Sequence, residues 1–197
     1  MWPMPDDAAV ATSWTNGLRA TVHLLEKGSG EKVILKVYRP GFMGLMLREY
    51  VATRYVASRL PIVPKVLAFR PLKRELCLSY IHGQRVLEWV LERFGGRNTV
   101  LSDFQNFHGL DTNAQVAEAF SRFRDATSED ACRLKEAIRA SYSSLHQIGM
   151  LHGSSDPRNI IYDGSRVFII DFDHARPSLA PARIERRSLM RWYGIAT

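Results

Sequence analysis

Apolar and polar positions along this chain change their period several times, and each change marks an element. From Glu31 to Tyr38 the chain reads Glu-Lys-Val-Ile-Leu-Lys-Val-Tyr, an apolar, β-branched run broken by Lys36. Such a run predicts a strand. Leu76-Cys77-Leu78-Ser79-Tyr80-Ile81 predicts another, ended by a turn at His82-Gly83. Between them, the stretch Leu47-Arg48-Glu49-Tyr50-Val51-Ala52 reads as helix. Further along, Leu134, Ile138, Leu145 and Ile148 recur near helical spacing. Thr127-Ser128-Glu129-Asp130 supplies a start signal with acids in the first turn, and Gly149 a stop. Ile160-Ile161-Tyr162 and Val167-Phe168-Ile169-Ile170 flank Asp163-Gly164-Ser165, the pattern of a β-hairpin with a tight turn. Ala182 to Trp192 reads as an amphipathic helix, and Arg93 to Asn113 as an irregular or partly helical connection. The expected class is α+β: an antiparallel sheet with one helix up to about Ser79, then a mainly helical part containing the hairpin.

The hairpin has a chemical consequence. Folding it about its turn brings Asn159, just before the first strand, beside Asp171, just after the second. Hard Mg²⁺ takes oxygen ligands of this kind, with substrate phosphates supplying others. The plainer alternative is an Asn that caps a loop and an Asp that ends a strand. Lys36 lies in apolar surroundings where an unpaired ammonium is costly. It either meets an anion, such as a triphosphate and a carboxylate, or snorkels to water at a strand edge. Glu49 is its natural carboxylate partner, or else a solvated residue on a helix face.

Taken in order, these landmarks resemble the protein-kinase-like superfamily. Leu145-His146-Gln147-Ile148-Gly149-Met150-Leu151-His152 resembles the approach to its catalytic loop. His152-Gly153-Ser154-Ser155-Asp156-Pro157-Arg158-Asn159 resembles the loop, and Ile170-Asp171-Phe172-Asp173 the metal-binding segment. The likeness runs from about Gly17 to Ala175. It is similar to compact members such as fungal-type and RIO-type kinases and aminoglycoside phosphotransferases, which favour His-Gly in the loop. It implies two lobes: an N-lobe over about 11–79, a hinge over 80–83 and a C-lobe over 84–197. It also implies ATP and Mg²⁺ as ligands, with Lys36 on the phosphates, Glu49 paired to Lys36, and Asn159 and Asp171 on the metal. Gly17 and Val22 match the phosphate loop, whose outer glycines are replaced by Thr15 and Ala20. Leu78 takes the gatekeeper position, and backbone groups around Tyr80 and Ile81 meet the adenine edge. His146 and His152 are structural in this frame. Asp173 stands where typical kinases have Gly, and either assists the metal or pairs with an arginine.

One position departs from the pattern. The second residue after His152 is the catalytic Asp in the superfamily, and here it is Ser154. A hydroxyl is a poor proton acceptor at neutral pH, and general-base help is worth about 10² to 10⁴ in rate. Asp156 is the candidate substitute, but Pro157 confines it to extended conformations; the alternative is a carboxylate that caps the loop or pairs with Arg158. Two functions follow. One is an ATP-binding, kinase-like module with little or no transfer activity that acts through partners. The other is a working phosphotransferase on a protein Ser/Thr or a small-molecule hydroxyl, with Asp156 as base. The chain continues only briefly past Asp171 and has no Ala-Pro-Glu segment, so the peptide-docking part of a conventional protein kinase is expected to be minimal.

Composition changes this picture little. The 197 residues are 46% hydrophobic, enough for a sizeable core. Cys77 and Cys132 fall in strand and helix and read as buried thiols of a reducing, cytoplasmic setting. No signal peptide and no membrane-spanning run is seen. The net charge of +7 gathers at Arg70, Lys73 and Arg74 and again at Arg183, Arg186, Arg187 and Arg191. Such patches suit an anionic partner or are solvated faces, and no motif points to nucleic acid.

Overall fold

The computed structural model describes residues 9–14, 19–96, 113–178 and 183–195. The chain forms two compact units, the first made of Met1–Ile81 with Asp171–Ala175, the second of His82–Ile170 with Arg176–Thr197.

The first unit is an antiparallel sheet of β1 (Ala9–Trp14), β2 (Ala20–Glu26), β3 (Lys32–Tyr38), β4 (Val66–Arg70) and β5 (Glu75–Ser79), in the order β1-β2-β3-β5-β4. Among the described residues of this unit one α-helix, α1 (Met43–Ala57), follows β3. The alternation of a strand sorts β3 into two faces. Val33 and Leu35 pack with Leu25 and Cys77 on one. Ile34 and Tyr38 pack with Ala20, Met46, Leu76 and Leu78 on the other, against α1. Lys36 shares this second parity, so its side chain is sent toward the helix. On α1, Met46, Glu49, Ala52, Thr53 and Val56 make the buried stripe. Their spacing is that of one helix face, and it carries a carboxylate into the interior. β4 and β5 are joined by one 3-10 turn, Pro71–Lys73, with Arg74 in the left-handed region.

The second unit contains α2 (Val86–Phe94), α3 (Ala114–Asp125), α4 (Glu129–Gln147) and α5 (Arg183–Tyr193). Its small sheet runs β6 (Gln84–Arg85), β8 (Ile160–Tyr162), β9 (Val167–Ile169), and β7 (Met150–Leu151) pairs with β10 (Arg176–Pro177). β8 and β9 form the expected hairpin, Ile160 opposite Ile169. Asp163 closes its turn by accepting from the N–H groups of Ser165 and Arg166. Gly83 is required where it stands: its φ is +144° and a Cβ there would lie 2.6 Å from the Tyr162 carbonyl oxygen. Aromatic residues hold the helices together, with Trp89 against Phe94 and Phe123, and Phe120 against Trp192 and Tyr193.

The helix expected after Thr127 is α4, whose buried stripe runs Ala131, Leu134, Ile138, Ser141, Tyr142 and Leu145. Three details differ from expectation. The Ser128 side chain makes no capping bond. Ile148 is the residue that ends the helix, not part of its stripe. Cys132 is an exposed thiol and Cys77 a buried one, because Cys132 is rotated about 100° from buried Ala131.

Candidate functional site

The first unit gathers four polar side chains under α1. The Lys36 ammonium donates to both Glu49 carboxylate oxygens at 2.7 and 2.8 Å and to Asp171 Oδ1 at 2.6 Å. The Tyr38 hydroxyl donates to Glu49 Oε2. Glu49 is fully buried, whereas the Asp171 side chain is 39% exposed. Burial pushes the Glu49 carboxyl above its usual value, against the pull of Lys36. Burial alone would draw the Lys36 ammonium down, but Asp171 and then Glu49 outweigh it and hold it well above the usual lysine value. Burial also raises the Tyr38 phenol. A removed partner would leave an uncompensated buried charge, at a cost of about 3–5 kcal/mol. Asp171 itself sits at φ 68°, in the left-handed region. Asp visits this region more readily than most residues, and the cost is of order 1 kcal/mol.

One ammonium between two carboxylates leaves the cluster one negative charge in excess. The excess falls on the exposed member, Asp171, an oxygen donor suited to a hard cation. Among the described residues no group of three or more His, Cys, Asp or Glu side chains is arranged to hold a metal. An ion at Asp171 would therefore take most of its ligands from phosphates or water, the habit of Mg²⁺.

The loop from His152 to Asn159 lies in the second unit. His152 is buried, with Nδ1 against the Ser154 carbonyl and Nε2 2.8 Å from the Ile170 carbonyl. Ser154 Oγ accepts from Asn159 Nδ2 at 3.4 Å. The Asn159 carbonyl accepts from the Ile170 N–H at 2.9 Å. Asp156 is engaged by Arg158, with Oδ1 accepting from its N and Nε at 2.9 Å and Oδ2 from Nη2 at 2.6 Å. It also caps the 3-10 turn Pro157–Asn159.

The remaining candidates are dispersed. Val22 is paired with Lys36 across the β2–β3 ladder. Leu78 is buried between Ile34 and Val66. Tyr80 and Ile81 follow β5, half-buried. Gly17 lies outside the described residues. Asp173 is buried and pairs with Arg19 at 2.6 Å, the arginine alternative for that carboxylate.

Three residues escaped the sequence reading. Tyr38 shares the parity of Lys36 on β3, and that alternation was the signal available. Glu185 is buried on α5, accepting from Gly153 N at 2.8 Å and lying 2.6 Å from His146 Nε2. Tyr193 donates to the Ser155 carbonyl at 2.9 Å. Together these two residues tie α5 to the loop at two points.

The antiparallel sheet, its one helix with the Lys36–Glu49 pair, and the hairpin after a His-Gly loop define a protein-kinase-like fold. The chain is similar to proteins of the protein-kinase-like superfamily. Its residues 125–197 match the family described as lipopolysaccharide core biosynthesis protein (WaaY). Over 138 residues it is 26% identical to a probable serine/threonine-protein kinase BUD32 homolog of Archaeoglobus fulgidus, a stretch covering 70% of this chain. The match spans 64% of the length of that relative.

Proposed function

We propose that this chain binds Mg²⁺-ATP through the Lys36–Glu49–Asp171 cluster and transfers phosphate slowly or not at all, acting through a partner. The observation that carries the reading is the cluster itself: a part-buried lysine held by two carboxylates, Glu49 buried and Asp171 partly exposed. In this reading Lys36 meets the phosphates and Asp171 the metal, and Asn159 is its second protein ligand by resemblance. Val22, Leu78, Tyr80 and Ile81 contribute to the nucleotide site on the same ground. Bound metal would offset charge on the phosphates. Slow transfer follows from Ser154, and from an Asp156 carboxylate already committed to Arg158. The free thiols Cys77 and Cys132 agree with a reducing, cytoplasmic setting.

The second reading is an active phosphotransferase on a protein Ser/Thr or a small-molecule hydroxyl. It is favoured by the serine/threonine-kinase description of the relative and requires Asp156 to leave Arg158. Titration with a fluorescent ATP analogue, with and without Mg²⁺, tests the binding step. Asp171→Asn should abolish the Mg²⁺ dependence, and Lys36→Ala should weaken binding by about 10-fold or more, the worth of a charge-assisted hydrogen bond. Metal-independent binding that ignores both substitutions would refute the site. Ordinary kinase turnover that Asp156→Ala abolishes would establish the second reading.

A further inference from the structure

We propose that the outer face of α5 docks the protein on a membrane surface rich in anionic lipid phosphates. Along this helix Arg183, Arg186, Arg187, Met190 and Arg191 are exposed, while Glu185, Leu189, Trp192 and Tyr193 are buried. At 100° per residue the exposed set falls within an arc of about 140°. Four of its five members are arginines. Glu185, the one acid of the helix, is turned inward to His146 and Gly153. Among the described residues, Arg183, Arg186 and Arg187 form no ion pair. At these three positions the described part of the face presents positive charge without a paired carboxylate.

The residue type narrows the partner. Guanidinium forks match phosphate oxygens two at a time. Binding of single-stranded nucleic acid draws on aromatic side chains that stack on bases. Here the aromatics of α5, Trp192 and Tyr193, are buried. The exposed centre of the face is Met190, 49% accessible and apolar, which suits the headgroup level of a bilayer. The apolar stripe is already used inside the protein, so attachment is electrostatic and peripheral, without insertion of the helix. The platform is fixed. Tyr193 and Glu185 tie it to the loop, and Arg124 donates to the Arg191 carbonyl at 2.6 Å.

The test is co-sedimentation of the full chain with vesicles of phosphatidylcholine alone and of phosphatidylcholine mixed with phosphatidylglycerol. Binding is expected only to the mixed vesicles and should fade as salt is raised. Each basic residue near an anionic surface is worth about five-fold in partitioning, so R186Q/R187Q should weaken binding about 25-fold. The charge-matched K65Q/K73Q, both exposed in the first unit, should leave it nearly unchanged. Circular dichroism of both variants checks that the fold is intact. The proposal is overturned if the mixed vesicles do not bind, if both variants lose binding equally, or if R186Q/R187Q loses none. It is also overturned if an oligonucleotide or an acidic peptide binds through these arginines in preference to the vesicles.

Discussion

In the first unit, Lys36, Glu49, Asp171 and Tyr38 meet side chain to side chain. In the second, the loop from His152 to Asn159 is held largely through its main chain, by His152, Glu185 and Tyr193. Its single carboxylate, Asp156, is spent on Arg158. The first region keeps its charged side chains together. The second keeps shape while lacking the carboxylate that resemblance expects at position 154. Shape and charge are thus separable in a kinase-like chain, because the bonds that brace this loop meet its own amides and carbonyls and do not depend on the side chain at position 154.

The most forceful way to break this contrast is to give the loop a carboxylate. Ser154→Asp is predicted to raise phosphate transfer from ATP by about 10²-fold or more, the range that a general base supplies. Autophosphorylation or phosphate release would report it. An unchanged rate, with nucleotide still bound, would mean that the missing base is not what limits transfer.

Next in size is Lys36→Ala. It leaves the buried Glu49 carboxyl without its ammonium and should cost about 3 kcal/mol in urea denaturation. Recovery of most of that loss in a Lys36→Met, Glu49→Leu double variant would show that the penalty is a stranded charge and not lost volume. A loss well under 1 kcal/mol in Lys36→Ala would mean that Glu49 reaches water.

For the second region, Glu185→Ala removes the acceptor of the Gly153 N–H and the partner of His146. The expected cost is about 2 kcal/mol, with faster hydrogen exchange at Gly153. Unaltered exchange there would argue that α5 does not set the loop.

The smallest effect concerns Asp163 in the hairpin turn. Burial works against its ionised form, but the N–H groups of Arg166 and Ser165 bring its carboxyl down to about 2, from an ordinary 3.8. The folded value lies below the unfolded one. Its contribution is therefore complete above about pH 3.8 and is lost as pH falls through about 2. Asp163→Ala should cost about 1 kcal/mol at neutral pH and much less at pH 2. A cost equal at both pH values would remove the carboxylate from the account.

Much of this was legible in the residues. The apolar setting of Lys36 pointed to an anion or to snorkelling, and Glu49 on the next element was the carboxylate to hand. The hairpin was readable because two apolar runs flank Asp163-Gly164-Ser165. Other features were hidden for physical reasons. Glu185 sits in an arginine-rich stretch that reads as solvated, and only its spacing from Leu189, Trp192 and Tyr193 marks it as inward. Ser128 has the chemistry of a cap but not the geometry. Cys132 was assigned to the interior by residue type, and helix phase overruled it. α2 and α3 flank a segment without a readable period, so neither was anticipated.

The chain order of the two units bears on how the protein is made. Asp171 lies 135 positions beyond Lys36, and the first unit borrows Asp171–Ala175 from far downstream. On a ribosome, β1 to β5 and α1 emerge early, but the third member of the ion cluster arrives only after most of the second unit has been translated. α5 arrives later still and fixes a loop synthesised well before it. Long sequence separation slows the closing of such contacts. The nascent chain therefore presents Lys36 and Glu49 before Asp171 can join them, and the His152–Asn159 loop takes its held form only once α5 has been translated.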